Sequence, residues 1–362
     1  MPNLGKDGLR LLIQAKVHPS MFKKIAFIGH PYHTVTKSSD FFIAILREAG
    51  CDVDCYYDDV NYDTPAGAKF DHSILELLTG DNVRNYDSFI VWQTNKIGEL
   101  LLSKGCDVTF APMWDDARQI PNAFWRSVSH AKFLSFSADL HAKLCGNGLA
   151  SHYFQYYPES ATGVENLSFE TKTAVFWLRR PNSIVNERNL ARILKHVGIE
   201  KMYLHNVPDI EEERADSFPA LEAVVDKLSV STWFDKKQDL IDLIDRANLY
   251  ISPREYEGIG MSFLEALARG QVVIGCKRST YTDYVTHEIN GLVTDFNEPL
   301  RSYSDAEFEA MSRRALEGVE EGYARWRDNQ SRLIALCTDP KYRCPTGAES
   351  SAHVANIKQR LA

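Results

Sequence analysis

The sequence has 362 residues, of which 44% are hydrophobic, and a formal net charge of −8. This length predicts about two domains, and the hydrophobic content is sufficient for two cores. The negative charge argues against nucleic acid as the main partner, because binding to its phosphates requires a basic surface.

We expect a cytoplasmic protein, because no apolar run approaches the roughly 18 residues of a membrane span. The start of the chain also lacks the apolar region and cleavage site of a signal peptide. The seven cysteines are odd in number and scattered, which predicts reduced thiols and no structural metal.

Residues 1–24 are basic, with five Lys and Arg residues against a lone Asp7. They surround a short apolar stretch, so they could form an amphipathic helix in peripheral contact with a membrane surface. The alternative is a helix that packs on the first domain. We treat residues 1–23 as an extension.

A doubly wound parallel sheet is predicted from residue 24 onward. Its first elements are strand 24–29, the loop from His30 to Lys37, helix 38–49 and strand 53–57. Ligands bind at the carboxyl ends of such strands, so we expect His30, His33 and Lys37 to face a crevice. The same pattern continues through strands 88–92, 107–111, 133–137 and 153–157.

Two carboxylates, Asp115 and Asp116, follow the strand that ends at residue 111. At this end of a strand they can serve a ligand or cap the next helix, and both alternatives are open. A polar stretch over 159–172 lacks hydrophobic periodicity and is the predicted linker.

A second doubly wound unit is predicted to begin at Thr173. Its first strand, 173–178, delivers Arg179 and Arg180 to the edge of the sheet, where guanidinium groups bind phosphate oxygens in pairs. The alternative is a pair of surface arginines. The loop 232–235 contains Trp233 and Phe234, either of which could stack on a base or pack in the core.

Residues 249–275 form a predicted strand, turn, helix and strand. The turn Glu257-Gly258-Ile259-Gly260 lets backbone approach a ligand closely, and the helix N-terminus from Gly258 to Met261 attracts phosphate. Glu257 and Glu265 can each accept hydrogen bonds from hydroxyl groups. The alternative is that Glu257 caps the helix and Glu265 lies on a solvated face.

The segment from 249 to 293 resembles the donor-site signature of the retaining glycosyltransferases called group 1. It is also similar to that of glycosyltransferase family 4. The resemblance rests on Glu257 and Glu265 at their spacing of eight, on Tyr281-Thr282-Asp283-Tyr284-Val285 and on Ile289-Asn290-Gly291-Leu292-Val293. It implies the GT-B architecture, an α/β fold of two Rossmann-like doubly wound domains that face each other across a cleft.

The resemblance implies an acceptor-binding domain over 1–158 and a nucleotide-sugar-binding domain over 173–320. Helices over 321–362 would brace the first domain. The substrates would be a nucleotide-diphosphate sugar and a glycan or lipid-linked acceptor, with neither a cofactor nor a metal, and the setting would be bacterial surface polysaccharide biosynthesis. It implies no particular oligomeric state.

By the same resemblance, Arg179 and Arg180 bind the diphosphate, Glu257 holds the sugar hydroxyls and Glu265 binds the ribose. The backbone of Gly258, Ile259, Gly260 and Met261 completes the donor site. Either Asp115 or Asp116 would do the work of a histidine that the family places on the acceptor side of the cleft. Glu257, Arg179 and Asp115 are therefore the catalytic candidates, and the acceptor-side candidates are His30, His33, Lys37 and Asp116.

Three features of the family pattern are missing: the glycine-rich loop after the first strand, the histidine and the lysine that follows the arginine. An alternative is therefore a non-catalytic partner in a polysaccharide-assembly complex. Two partly buried carboxylates, Glu257 and Glu265, would argue against an idle site. A further alternative keeps the fold but gives a nucleotide-sugar epimerase.

Overall fold

The structure is a computed structural model that describes residues 23–161, 167–181, 183–209, 212–234 and 236–342. The predicted amphipathic helix over 1–24 therefore lies outside the described residues, except for its last two lysines. Lys23 pairs with Asp87 at 3.6 Å and Lys24 with Asp54 at 3.3 Å, so both lysines anchor the start of the first strand.

The first sheet of the described chain has seven strands in the order β3-β2-β1-β4-β5-β6-β7. Residues 25–28 of its first strand are fully buried, as expected for a strand covered on both faces. The strands are β1 Lys24–Gly29, β2 Asp52–Tyr57, β3 His72–Ser73, β4 Ser88–Trp92, β5 Val108–Ala111, β6 Lys132–Ser135 and β7 Ala150–Tyr153.

The second sheet of the described chain has six strands in the order β10-β9-β8-β11-β12-β13. Its strands are β8 Thr173–Trp177, β9 Lys201–His205, β10 Lys227–Ser231, β11 Leu249–Ile251, β12 Val272–Cys276 and β13 Leu292–Thr294. Neighbouring strands pair in parallel throughout this sheet.

Helices connect the parallel strands, as a doubly wound sheet requires. They are α1 His33–Thr36, α2 Asp40–Glu48, α3 Ile74–Leu78, α4 Asn95–Ser103, α5 Trp114–Ala117, α6 Asn122–Ser127, α7 Ala138–Gly146, α8 Glu187–Leu194, α9 Pro219–Glu222, α10 Lys237–Ile244, α11 Met261–Leu267 and α12 Asp305–Thr338. Short 3₁₀ helices cover Asn82–Asn85 and Tyr281–Asp283. Across the described ranges, none of the helices is both long and apolar enough to cross a membrane.

The strand order reverses once in each sheet. β1 pairs with both β2 and β4, and β8 pairs with both β9 and β11. In open α/β sheets, ligands bind outside the carboxyl ends of the strands at this point. His30 follows β1, and Arg179 lies two residues beyond β8. The predicted fold class of two doubly wound α/β sheets is confirmed.

The described chain groups into two compact units. The first contains the described residues up to Thr109 with Cys337–Lys341, and the second contains Phe110–Leu336 with Tyr342. The domain boundaries from the sequence stay a prediction.

Two sequence expectations on secondary structure are wrong. The strand expected over 153–157 lies at Ala150–Tyr153, because these residues pair with Lys132–Ser135, and the Gln155 side chain instead donates to the Asp283 carbonyl at 2.7 Å. The loop from His30 to Lys37 contains the helical turn His33–Thr36.

Candidate active site

The signature segment turns sharply between β11 and α11. Gly260 begins the helix with a φ of 79°, a left-handed conformation that favours glycine. A Cβ at this position would also overlap the ring of Phe263. Gly260 is thus required by backbone conformation and by packing within the turn.

Gly258 is required for a different reason. A Cβ there would lie 2.8 Å from the Cβ of Met113, a buried residue that follows β5. The Thr280 hydroxyl donates to the carbonyls of Glu257 and Gly258 at 2.8 and 3.1 Å. Met113 and Thr280 therefore fix the course of the signature turn, whose Ile259 is buried.

Glu257 is a buried carboxylate within hydrogen-bonding distance of a buried phenol. The Tyr281 hydroxyl donates to its Oε1 at 3.3 Å and to the Arg254 carbonyl at 2.7 Å. Burial raises the pKa of Glu257, and the charge of Asp115 adds to this, whereas Arg254 and Arg179 oppose it. Glu257 therefore lies in a buried site and is not a solvated helix cap.

Three arginines surround the single carboxylate of Asp209. Arg179 approaches Oδ1 with Nε at 2.8 Å and with Nη2 at 2.7 Å. Arg180 approaches Oδ2 with Nε at 2.9 Å, and Arg254 approaches the same oxygen with Nη2 at 3.3 Å. Burial opposes ionisation of Asp209, but the arginines prevail and lower its pKa. The structure therefore brings the two predicted arginines together and adds a third.

Arg254 also reaches Asp115, which is 139 residues away in the sequence. Its Nη1 lies 3.4 Å from Asp115 Oδ2. Burial favours the uncharged guanidine, but the charges of Glu257, Asp209 and Asp115 raise the pKa of Arg254. Arg254 Nε and Asp115 Oδ1 are buried and make no hydrogen bond to the described residues. These two polar atoms suit a hydroxylated ligand.

Sequence reasoning missed Arg254 and Asp209. Arg254 lies within the signature segment, and its position just beyond a buried strand was the available signal. Asp209 lies in a polar loop after β9 and offered no such signal. The next arginine after Arg180 along the chain, Arg188, lies exposed on α8.

Two of the remaining predicted residues of this unit, Asp116 and Glu265, are exposed, and Met261 is partly buried. Asp116 lies at the start of α5, where desolvation by neighbouring atoms and the charge of Asp115 raise its pKa. Glu265 is exposed on α11, so the expectation that it is partly buried is wrong. The helix turns its apolar residues, such as Phe263 and Leu264, toward the core and leaves Glu265 outside.

An aromatic row lies at the carboxyl ends of β8 and β9. The ring of Phe234 stacks on His205 at 5.0 Å, and the ring of Trp177 meets His205 edge-on at 5.2 Å. Arg179 lies over the Trp177 ring at 4.9 Å. Burial lowers the pKa of His205 to about 4, so this imidazole is neutral at pH 7. Trp233 is 67% exposed.

The acceptor-side candidates lie in the first compact unit, apart from Asp116. Burial lowers the pKa of His33 to about 4. Its Nε2 lies 2.7 Å from Gln93 Oε1 and its Nδ1 lies 2.5 Å from Ser38 Oγ. Because the amide oxygen only accepts, Nε2 carries the proton and Nδ1 accepts from the serine. His33 therefore ties the loop after β1 to the residue after β4.

The other two candidates are His30 and Lys37. His30 is partly buried, and its ring packs against that of Tyr62 at a tilt of 48°, with centroids 4.2 Å apart. Burial lowers its pKa. Lys37 is exposed and has a φ of 58° at the end of α1. Among the described residues, no cluster of three His, Cys, Asp or Glu side chains is placed to hold a metal ion.

Residues 222–311 match the model of the family described as glycosyl transferases, group 1. This match contains β11, the signature turn and α11, and it confirms the resemblance inferred from the sequence. The retaining mechanism, the assignment of Glu257 and Glu265 as the donor-site pair, and the role of each glutamate stay predictions. No curated protein matches the sequence.

Solved structures with the same fold include the lipopolysaccharide outer core galactosyltransferase WaaB in its apo form, which is 14% identical with a TM-score of 0.53. The match covers 86% of this chain and 99% of that one. A sucrose-phosphate synthase from Thermosynechococcus elongatus is 13% identical over 94% of this chain and 99% of its own, with a TM-score of 0.53. A glycosyltransferase from Rickettsia africae is 12% identical over 88% and 99%, also with a TM-score of 0.53.

Two parallel doubly wound sheets and these neighbours define the class: the chain has the GT-B glycosyltransferase fold. Within it, residues 222–311 match the model of group 1 glycosyl transferases.

Proposed function

We propose that the protein is a retaining glycosyltransferase that moves a sugar from a nucleotide-diphosphate sugar to a glycan or glycolipid acceptor. The observation that carries the proposal is the cluster of Arg179, Arg180 and Arg254 beside the buried Glu257, at the switch point of a sheet that contains the group 1 segment.

The arginines provide the charge that the reaction needs. When the bond between sugar and diphosphate breaks, the departing diphosphate gains negative charge. Guanidinium groups fixed before the reaction stabilise that charge more in the transition state than in the bound substrate. Arg179 is held by Asp209 and by the face of Trp177, so it is preorganised for this role.

Glu257 and Asp115 provide oxygens for the sugar. In our proposal Glu257 accepts hydrogen bonds from the hydroxyls of the transferred sugar, and the unpaired Oδ1 of Asp115 accepts one from a hydroxyl group nearby. Glu265 binds the ribose, and its exposure leaves it accessible to a ligand. The donor is a substrate, and the proposal includes neither a cofactor nor a metal.

The acceptor and the setting follow from the family resemblance. We assign the acceptor to bacterial surface polysaccharide or glycolipid assembly at the cytoplasmic side, with residues 1–24 as the peripheral membrane contact. His30, His33, Lys37 and Asp116 are the candidates on the acceptor side.

A thermal-shift screen tests the donor site. The protein is heated with UDP, GDP, TDP, ADP or CMP, each with and without magnesium, and the screen is repeated on Glu265→Ala. A ligand that binds only the native state raises the midpoint. We expect one nucleoside diphosphate to raise it and the variant to lose the rise. If none does, the function as a transferase is wrong and the non-catalytic alternative gains support.

The retention of configuration in the proposed reaction needs its own measurement. With the donor identified, proton NMR of the first-formed product gives the configuration at the transferred anomeric carbon. A product with the donor's configuration supports retention, and the opposite configuration contradicts it.

A further inference from the structure

The Asp209 carboxylate lies in an environment typical of a bound phosphate. Both of its oxygens accept from guanidinium groups, Oδ1 from Nε of Arg179 and Oδ2 from Arg180 and Arg254. Nη2 of Arg179 makes a further ion-pair contact with Oδ1 at 2.7 Å. Paired contacts of this kind are the ones that arginines make with phosphate oxygens. Three cations thus converge on one monovalent anion.

The direct contacts of this cluster compensate its charge only in part. The cluster has three positive charges, and the carboxylates in direct contact with it, Asp209 and Asp115, contribute two negative ones. A third carboxylate, Glu257, acts on Arg254 and Arg179 through its charge, but burial disfavours its ionised form. An anion of higher charge would compensate the guanidinium groups better than Asp209 does.

The side chain of Asp209 is free to leave without disturbing the loop that carries it. Its backbone N–H donates to the Arg179 carbonyl at 2.8 Å, which anchors the loop after β9 to the loop after β8. The carboxylate itself is 21% exposed and adjoins Arg180, which is 43% exposed. Rotation of the side chain would carry it to solvent while the arginines stay in place.

We propose that the Asp209 carboxylate is an internal substitute for the diphosphate, which holds Arg179, Arg180 and Arg254 in position until a diphosphate displaces it. This inference rests on the proposed function, because it deepens the same donor site. Asp209 then has two effects: it preorganises the arginines, and it lowers the affinity of the site for anions because each anion must first displace it.

The second effect gives selectivity. A monovalent anion gains little by replacing a carboxylate that already accepts three hydrogen bonds from guanidinium groups, whereas a diphosphate offers more charge and more acceptor oxygens. Asp209 therefore excludes small monovalent anions and admits the diphosphate.

The test compares Asp209→Asn with the wild type by isothermal titration calorimetry. The probes are inorganic pyrophosphate, orthophosphate and the nucleoside diphosphates UDP, GDP, TDP and ADP. Asparagine keeps the shape of the side chain and removes the competing charge. We expect pyrophosphate and one nucleoside diphosphate to bind roughly tenfold more tightly to the variant, the scale of one charged hydrogen bond.

Three further variants separate this role from a structural one. Asp245→Asn removes the carboxylate that pairs with Arg269 at 2.8 Å, and it should leave the affinity for every probe unchanged. Asp209→Glu keeps the charge and should restore wild-type affinity. Arg254→Gln should weaken pyrophosphate binding about tenfold, since it removes a charged partner. In turnover, Asp209→Asn should lower KM for the donor more than it changes kcat.

The unfolding midpoint of Asp209→Asn is measured with and without pyrophosphate. If the unpaired arginines destabilise the variant, pyrophosphate should restore its midpoint by more than it raises that of the wild type. Equal or weaker diphosphate binding in Asp209→Asn overturns the inference. In that case a wild type that still binds a nucleoside diphosphate leaves the proposed function standing. If neither protein binds any diphosphate, both proposals fail.

Discussion

The hydroxyl of Tyr281 lies 3.3 Å from Oε1 of Glu257, inside a site where both side chains are buried. The same hydroxyl donates to the carbonyl of Arg254, so one phenol contacts both ends of the four-residue segment 254–257 before the signature glycines. The buried carboxylate is thus fixed in position before any ligand binds.

The pKa of Glu257 predicts a pH-dependent stability. Burial raises this pKa in the folded protein, so ionisation of Glu257 opposes folding. The stability that the neutral carboxyl group contributes is therefore lost as the pH rises through the pKa of Glu257 in the folded protein. Glu257→Gln should therefore be more stable than the wild type at pH 7, and this advantage should vanish below about pH 4, where a free glutamate is protonated. Urea unfolding of the wild type and the variant, at pH 7 and below about pH 4, measures this difference in stability.

Glu255→Gln is the matched control, because that residue lies two positions away and pairs with Arg278 at 3.7 Å. It should show no gain in stability at pH 7. A Glu257→Gln variant that is less stable than the wild type at pH 7 would show that the arginines outweigh burial.

The contact between Gly258 and Met113 predicts a packing defect. Gly258→Ala should destabilise the fold by about 1–3 kcal/mol, because the new methyl meets the Cβ of a buried residue. The same change should cost less in a Met113→Gly background, because that variant lacks the Cβ that the new methyl meets, and a double-mutant cycle gives the coupling. Gly146→Ala, in a helix and with no atom near the added methyl, should not destabilise. Additive effects of the first two changes would contradict the contact.

The fold and the signature turn were predictable because their determinants are local. Apolar strands and the glycine at 260 each act within a few residues, and the strands at Lys24–Gly29 and Ser88–Trp92 have the bounds inferred from the sequence. The strand expected over 153–157 was misplaced because pairing with β6, and not residue type, fixes its register.

The charge cluster was only half predictable. Asp209 and Arg254 are 45 residues apart, and Arg254 and Asp115 are 139 apart, so their meeting depends on the order of strands in the sheets. A polar loop carrying Asp209 resembles any solvated loop in sequence. The resemblance pointed to Arg179 and Arg180 because it carries information about tertiary structure that local patterns lack.

The two predicted arginines should differ in their contribution to turnover. Arg179→Ala should reduce kcat/KM about 100-fold or more, since Arg179 is the less exposed and the better fixed of the two. Arg180→Ala should reduce it about tenfold, because one charged contact from a half-exposed side chain is lost. Both losses should exceed that of Glu257→Asp. If both variants turn over like the wild type, the diphosphate assignment is wrong.

Glu265 provides a test that leaves the fold intact. Its side chain is exposed, so Glu265→Ala should keep the unfolding midpoint of the wild type. Nucleoside diphosphate binding should nevertheless weaken about tenfold by calorimetry, the cost of one charged hydrogen bond to a hydroxyl. Glu317→Ala, an exposed position on α12, is the control. Equal affinity in Glu265→Ala and the control would remove Glu265 from the donor site.

The arginine cluster predicts that turnover does not depend on a divalent metal. A metal would neutralise the diphosphate by bridging its oxygens, and Arg179, Arg180 and Arg254 supply fixed positive charge and directed donors for the same purpose. Turnover after dialysis against EDTA should therefore equal that of the untreated enzyme, and added magnesium should change it little. Arg179→Ala should stay about 100-fold impaired when manganese is added, because a metal ion does not replace the directed donors of the guanidinium group. Full loss of activity in EDTA with recovery on manganese would show that the cluster alone does not stabilise the leaving group.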